Sequence, residues 1–256
     1  MVLIPGLILA HTNYLAISDN SYKLVWSDEF NYKGHPDPKK WSYEVGKIRN
    51  NELQFYTENR LENARVEAGN LVLEARKEEF KGSHYTAASL ITLDKFNFQY
   101  GRVEVRAKLP GGMGSWPAIW LLGADRNIVS WPRCGEIDIM EHIAYERSTI
   151  YGTVHQSSPD GKGHVSKGGT ANISDPTADF HVYALEWSPQ SLDFFVDHDK
   201  YFSFPYQGPA NWTFDRPMYL LINYAIGGSW AGRNGVDENA FPQKYLIDYV
   251  RIYQRK

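Results

Sequence analysis

In stretch after stretch of this chain, apolar residues recur at every second position, a period that suits β-strands and excludes most helices. The clearest case is Arg102-Val103-Glu104-Val105-Arg106-Ala107-Lys108-Leu109, with charges on one face and aliphatics on the other. It stops at Pro110-Gly111-Gly112, a strong reversal signal. Leu71 to Arg76, which follows Gly69-Asn70, reads the same way, as do His181 to Trp187, Leu192 to Asp197, Met218 to Ala225 and Ile247 to Tyr253. Residues 155–178 are polar, carry Gly161, Gly163, Gly168 and Gly169, and read as loop. No repeat or composition break divides the 256 residues. The expected fold is all-β, a sandwich of two antiparallel sheets in one domain.

Composition narrows the partner. The formal net charge is -3, from 27 basic and 30 acidic side chains. Nothing there attracts a nucleic-acid backbone or an anionic membrane, so a neutral partner fits best. Cys134 is the lone cysteine, which rules out an internal disulfide and a cysteine-built metal site. Aromatic residues reach 14%. Most must fill the core, but Trp116, Trp120 and Trp131 cluster beside an acid-rich segment, where flat ring faces suit a sugar-binding cleft. The apolar start, Val2 to Ala10, is too short to span a bilayer and lacks the basic flank of a signal peptide. Residues 1–20 are read as a truncated leader or a packed extension, and residues 21–256 as the domain.

The acid-rich segment is Gly135-Glu136-Ile137-Asp138-Ile139-Met140-Glu141-His142. On a strand, Glu136 and Asp138 share one face while Ile137 and Ile139 enter the core. Strict alternation would then place Met140, not Glu141, beside the acids. A β-bulge near Ile139-Met140 returns Glu141 to the acidic face. Five residues with one absorbed by a bulge leave the two glutamate Cα atoms about 13 Å apart. Side chains leaning together then approach the ~5–5.5 Å carboxyl spacing of a retaining glycosidase, against ~6.5–9.5 Å for an inverting one. Packing like charges also raises their pKa values, which keeps one carboxyl protonated as an acid. A metal site is the competing reading, but alternation turns His142 away from Glu141.

The run Glu136-Ile-Asp-Ile-Met-Glu141 resembles the bulged signature of glycoside hydrolase family 16, in its laminarinase-like and mixed-linkage β-glucanase branch. The resemblance extends from Tyr22-Lys-Leu-Val-Trp-Ser-Asp-Glu-Phe30 to Asp248-Tyr-Val-Arg-Ile-Tyr-Gln254. It implies a β-jelly-roll with a concave substrate cleft and cleavage by double displacement. Glu136 would be the nucleophile, Glu141 the acid/base and Asp138 the assisting residue. In Gly114-Ser-Trp-Pro-Ala-Ile-Trp120, the resemblance puts Trp116 and Trp120 on the cleft floor. Trp131 would stack beside the cleavage point, and His155 would stand near the acid/base. Asn50, Glu52, Gln54, Asn223 and Trp230 would meet sugar hydroxyls and rings.

The implied activity is endo-hydrolysis of β-1,3-glucan or mixed-linkage β-1,3-1,4-glucan by a secreted, periplasmic or cell-surface monomer. Catalysis would need no cofactor. A structural calcium would use Glu29, Gly69 and Asp248, a mixture of donors that calcium accepts. Two alternatives stay open: a galactan-cleaving relative of the agarase or carrageenase type, and a sandwich that only binds glucan. One departure bears on specificity. Relatives often carry Tyr-Thr-Ser-Ala-Arg where this chain has Tyr85-Thr86-Ala87-Ala88-Ser89, and Ser89 lacks the guanidinium donors of that arginine.

Overall fold

A computed structural model describes residues 21–256. The expectation for residues 1–20 lies outside the described residues. Two sheets face each other across one apolar core. The first has seven strands, in the order His164–Asn172, Thr149–Ser157, Glu136–Glu141, Ser115–Gly123, Met218–Ile226, Ser89–Ile91, Ser42–Tyr43. Every pairing in it is antiparallel. The second has ten strands, and its centre is Gly101–Lys108 between His181–Trp187 and Gln243–Arg255. Among the pairs of the described strands, the one parallel pairing joins Gln54–Tyr56 to Ser83–Ala87.

The expected strands are present with modest changes of length: Asn70–Phe80, Gly101–Lys108, His181–Trp187, Ser191–Val196, Met218–Ile226 and Gln243–Arg255. The stretch read as loop is different. Thr149–Ser157 and His164–Asn172 form a nine-pair antiparallel hairpin instead. Its second strand is the exposed edge of the sheet, so no apolar alternation marks it. The glycines there provide clearance. A Cβ at Gly168 would lie 2.6 Å from the Gly152 carbonyl oxygen, and one at Gly169 would lie 2.7 Å from Phe202.

The charged face of the Gly101–Lys108 strand is paired rather than solvated. Arg102 donates to Glu104 at 2.8 Å and to Glu186 at 2.9 Å. Arg106 donates to Asp248 at 2.7 Å, and Arg251 grips Glu29 with two bonds of 3.0 and 2.8 Å. A ladder of guanidinium–carboxylate pairs therefore covers the outer face of the ten-stranded sheet. Most of the aromatic content fills the core, including Tyr183, Phe194, Tyr224 and Tyr245.

Candidate active site

The acids stand on the Glu136–Glu141 strand, third from an edge of the seven-stranded sheet. Its register slips by one residue between Asp138 and Met140 against the Ser115–Gly123 strand, and between Asp138 and Glu141 against Thr149–Ser157. The expected bulge is there. Ile137, Ile139 and Met140 all enter the core, so the bulge places two consecutive side chains inward and lets Glu141 rejoin the outer face. Opposite Ile139, the hydroxyl of Tyr201 from the second sheet donates to the bulge carbonyl at 3.3 Å.

Above this face lies a recess of 390 Å³ lined by Glu136, Asp138 and Glu141 together with Asn50, Glu52, Trp116, Trp120, Trp131 and Asn223. The roles of the tryptophans divide. Trp116 and Trp120 are buried, and their indole N–H groups are committed to Glu141 at 3.0 Å and to Asn223 at 2.8 Å. They hold the site more than they offer open platforms. Trp131 is 48% exposed and lies against His164, with ring centroids 4.7 Å apart. Trp230 stands behind Trp116, edge to face at 5.5 Å, and does not line the recess.

Glu52 is buried and receives Gln54 at 2.7 Å, Tyr56 at 3.1 Å and Asn50 at 3.3 Å. Asn223 donates to the Tyr56 oxygen at 3.0 Å, which ties Glu52 to Trp120 through one continuous network. Gln54 supports the site from behind, because its carbonyl takes the Ile226 N–H at 2.8 Å. The loop that carries these groups turns at Asn50 and Asn51, both left-handed (φ 54 and 53). Asparagine tolerates that conformation better than most residues.

Burial sets the protonation of the acids. It raises Glu136 to about 8, with the charge of Asp138 adding to the effect. His155, Arg49 and Trp131 pull Glu136 back toward its ionised form. Burial also raises Glu141 well above the usual carboxylate range, again with help from Asp138, and raises Asp138 itself. Glu141 is therefore held toward its protonated form, and Glu136 is the carboxyl with the most cationic support. His155 Nε2 lies 3.1 Å from Asp138 Oδ2, yet that oxygen accepts no aligned hydrogen bond among the described residues. Donor atoms of Glu136, Asp138 and His155 lie within 4.8 Å of one another, so this group could hold a metal ion. His142 is not part of it; its ring is buried, with Nε2 against the Arg147 carbonyl at 3.2 Å.

Residues 51–251 match glycosyl hydrolases family 16. The chain belongs to that family. A β-glucanase of Rhodothermus marinus is 46% identical over 244 residues, which cover 91% of this chain and 85% of the relative. The solved laminarinase of Rhodothermus marinus superposes with a TM-score of 0.86 at 45% identity, over 92% of this chain and 98% of that one. A glutamate-to-serine variant of SCLam, a non-specific endo-β-1,3(4)-glucanase, superposes at 0.87 and 45% identity over 93% and 96%. That structure holds 1,3-β-D-cellobiosyl-glucose at its active site. The sandwich is thus the family's jelly roll.

The donors expected for calcium meet other partners. Arg251 holds both oxygens of Glu29, and Arg106 holds Asp248, the residue at which the Gln243–Arg255 strand bulges. A cation would have to displace Arg251 from Glu29, and Arg106 from one of the two oxygens of Asp248. As arranged, the Glu29 carboxylate offers a calcium ion no free oxygen.

Four contributors escaped the sequence reading. Arg49 and Arg126 line the recess, Tyr56 links Glu52 to Asn223, and His164 meets His155 through Nδ1 and Nε2 at 2.8 Å. The adjoining Asn50-Asn51 turn was a signal for Arg49. The others depend on contacts between distant segments.

Proposed function

We propose that this family 16 hydrolase is an endo-β-1,3(4)-glucanase that cleaves with net retention of anomeric configuration. The observation that carries the reading is the bulge, which sets Glu136 and Glu141 on one face of one strand beside the exposed Trp131. The likeness to the R. marinus laminarinase and to a non-specific β-1,3(4)-glucanase supports the choice of glucan.

At neutral pH most resting sites hold Glu136 protonated, so the reactive fraction is the one in which Glu136 has released its proton and Glu141 has kept its own. In the first step that Glu136 carboxylate attacks the anomeric carbon, and Glu141 gives its proton to the departing glycosidic oxygen. The chain on the leaving side departs as an alcohol, and a glucosyl ester remains on Glu136. In the second step, Glu141, now a carboxylate, takes a proton from water as that water attacks the same carbon. Glu136 leaves as a carboxylate and Glu141 is reprotonated. Asp138, whose acidity burial suppresses, keeps a further negative charge off the strand when neutral. Trp116 fixes the position of Glu141 through its indole N–H.

A polymeric substrate supports a secreted, periplasmic or cell-surface location, and the reading takes a single chain as the working unit. Among the described residues, no helix is long and apolar enough to cross a membrane. The test is product analysis on laminarin, lichenan and cellulose, with proton NMR of the first product released. The expected outcome is cleavage of laminarin and lichenan with the β-anomer formed first. An initial α-anomer, or cleavage of agarose or carrageenan in place of both glucans, would overturn the reading.

A further inference from the structure

Arg49 is built into the recess with unusual care for a surface-loop residue. Its Nη1 donates to Glu44 Oε1 at 3.2 Å, and its Nη2 donates to Glu44 Oε2. The Glu44 side chain is 6% exposed and accepts a further bond from Ser89 Oγ at 2.7 Å. The guanidinium lies across Trp120, with Cζ 4.9 Å from the ring centroid, while Asn223 pins that indole from its N–H edge. The group is therefore fixed by a fork, a stacking face and the left-handed turn that follows it.

An arginine carries five N–H donors, and Glu44 uses two directions of the fork. The Nε side lies 4.0 Å from Glu52 Oε1, beyond hydrogen-bond range. The Arg49 side chain is 21% exposed, and it lines the same recess as Glu136. Arg126 lines that recess too, over the face of Tyr219, and its Nε is buried with no hydrogen-bond partner among the described residues. A buried donor with no acceptor is costly unless a ligand supplies one. Two guanidinium groups with donors to spare thus line one recess.

We propose that Arg49 and Arg126 form a donor edge that binds hydroxyls of the glucosyl unit beside Glu136, with Arg49 setting the linkage preference. This rests on the glucanase reading above. Because Arg49 covers the face of Trp120, the sugar there is read by hydroxyl direction and not by stacking on that ring. β-1,3 and β-1,4 linkages present those hydroxyls in different directions from the same glucose. A rigid guanidinium rewards one of them, since a site made to bond a hydroxyl discriminates far better than an apolar wall.

The experiment measures kcat, KM and Tm for the full chain on laminarin and lichenan. Arg49→Met, Arg49→Lys, Arg126→Met and the double variant Glu44→Gln/Arg49→Met are compared with wild type. The double variant avoids leaving Glu44 buried without its partner. Expected in both Arg49→Met backgrounds is a rise in laminarin KM of about tenfold or more, with the lichenan-to-laminarin ratio of kcat/KM shifted about fivefold. Arg49→Lys keeps the charge without the fork; it should regain Tm but not the ratio. Arg126→Met should raise KM by about threefold without lowering Tm. A folded double variant with wild-type KM and ratio overturns the role of Arg49, and an unchanged KM in Arg126→Met removes Arg126 from the edge. Wild-type protein that cleaves neither glucan overturns the glucanase reading and this proposal together.

Discussion

The hydroxyl of Tyr201 lies 3.3 Å from the carbonyl oxygen of Ile139, the residue that the bulge inserts between Asp138 and Met140. Tyr201 belongs to the opposite sheet and reaches the acid strand past Gly152, where a Cβ would sit 2.3 Å from the tyrosine oxygen. A bulge takes one residue out of the ladder. The second sheet thereby braces the irregularity that aims Glu141 into the recess.

Tyr201→Phe tests this brace. Removing the donor should cost about 1–2 kcal/mol, and for a chain of this size Tm should fall by roughly 3–6 °C. Because the bulge positions Glu141, kcat on laminarin should also fall, while KM changes little. A variant with wild-type Tm and kcat would show that the bulge holds itself.

The raised acidity constants make a prediction of definite sign. Glu136 binds its proton up to about pH 8 in the folded chain, whereas an unfolded glutamate releases it near 4.3. The folded state therefore holds more protons between those values, and stability falls as pH rises across that window. The contribution is complete below about pH 4 and is lost as pH passes through about 8. Glu136→Gln cannot ionise. Inactive as it is, it should be more stable than wild type at pH 8, by on the order of a few kcal/mol. The gap should close toward pH 4.5, as followed by calorimetry at both values. An equal gap at the two pH values would mean that Glu136 titrates as an ordinary carboxyl.

The acid strand was legible because its information is local: the period of two, broken once, is visible in Glu136 to Glu141 itself. The hairpin at 149–172 was not, since Gly168 and Gly169 are required by Gly152 and Phe202, which lie outside any local window. Arg49 was missed for the same reason; Glu44 and Ser89, and not the loop, decide where its charge lies. Trp116 and Trp120 line the recess, but the sequence could not reveal that their N–H groups are already spent on Glu141 and Asn223. Glu29 and Asp248 are expected as cation ligands from the resemblance alone; only the register of neighbouring strands shows Arg251 and Arg106 set against them.

The arginine ladder replaces the calcium expectation with a different outcome. Tm should be the same with excess calcium and with chelator, because Arg251 already holds both oxygens of Glu29 and Arg106 holds one of Asp248. Asp248→Ala should lower stability equally in both buffers, by about 1 kcal/mol for a partly exposed pair. A melting temperature that rises with calcium in wild type, and no longer rises in Asp248→Ala, would restore the cation site through linkage.

Trp120 and Trp131 line one recess, and their substitution should separate binding from stability. Trp120 is buried, donates to Asn223 and supports Arg49 on its face, so Trp120→Ala opens a cavity and loosens two cleft groups. A loss of about 3–5 kcal/mol is expected, as for a large aromatic side chain removed from a core. Trp131 is 48% exposed and packs chiefly on the rings of His164 and His155. Its removal exposes little apolar surface, so Trp131→Ala should stay within about 1 kcal/mol of wild type. What it loses is an open aromatic face beside Glu136. Laminarin KM should rise by about tenfold, equivalent to about 1.4 kcal/mol of binding, and kcat at neutral pH should fall as well, because Trp131 helps to hold Glu136 ionised. Thermal melts and initial rates on the two variants decide the matter. If Trp131→Ala unfolds as readily as Trp120→Ala, Trp131 is a structural ring and the sugar must stack elsewhere.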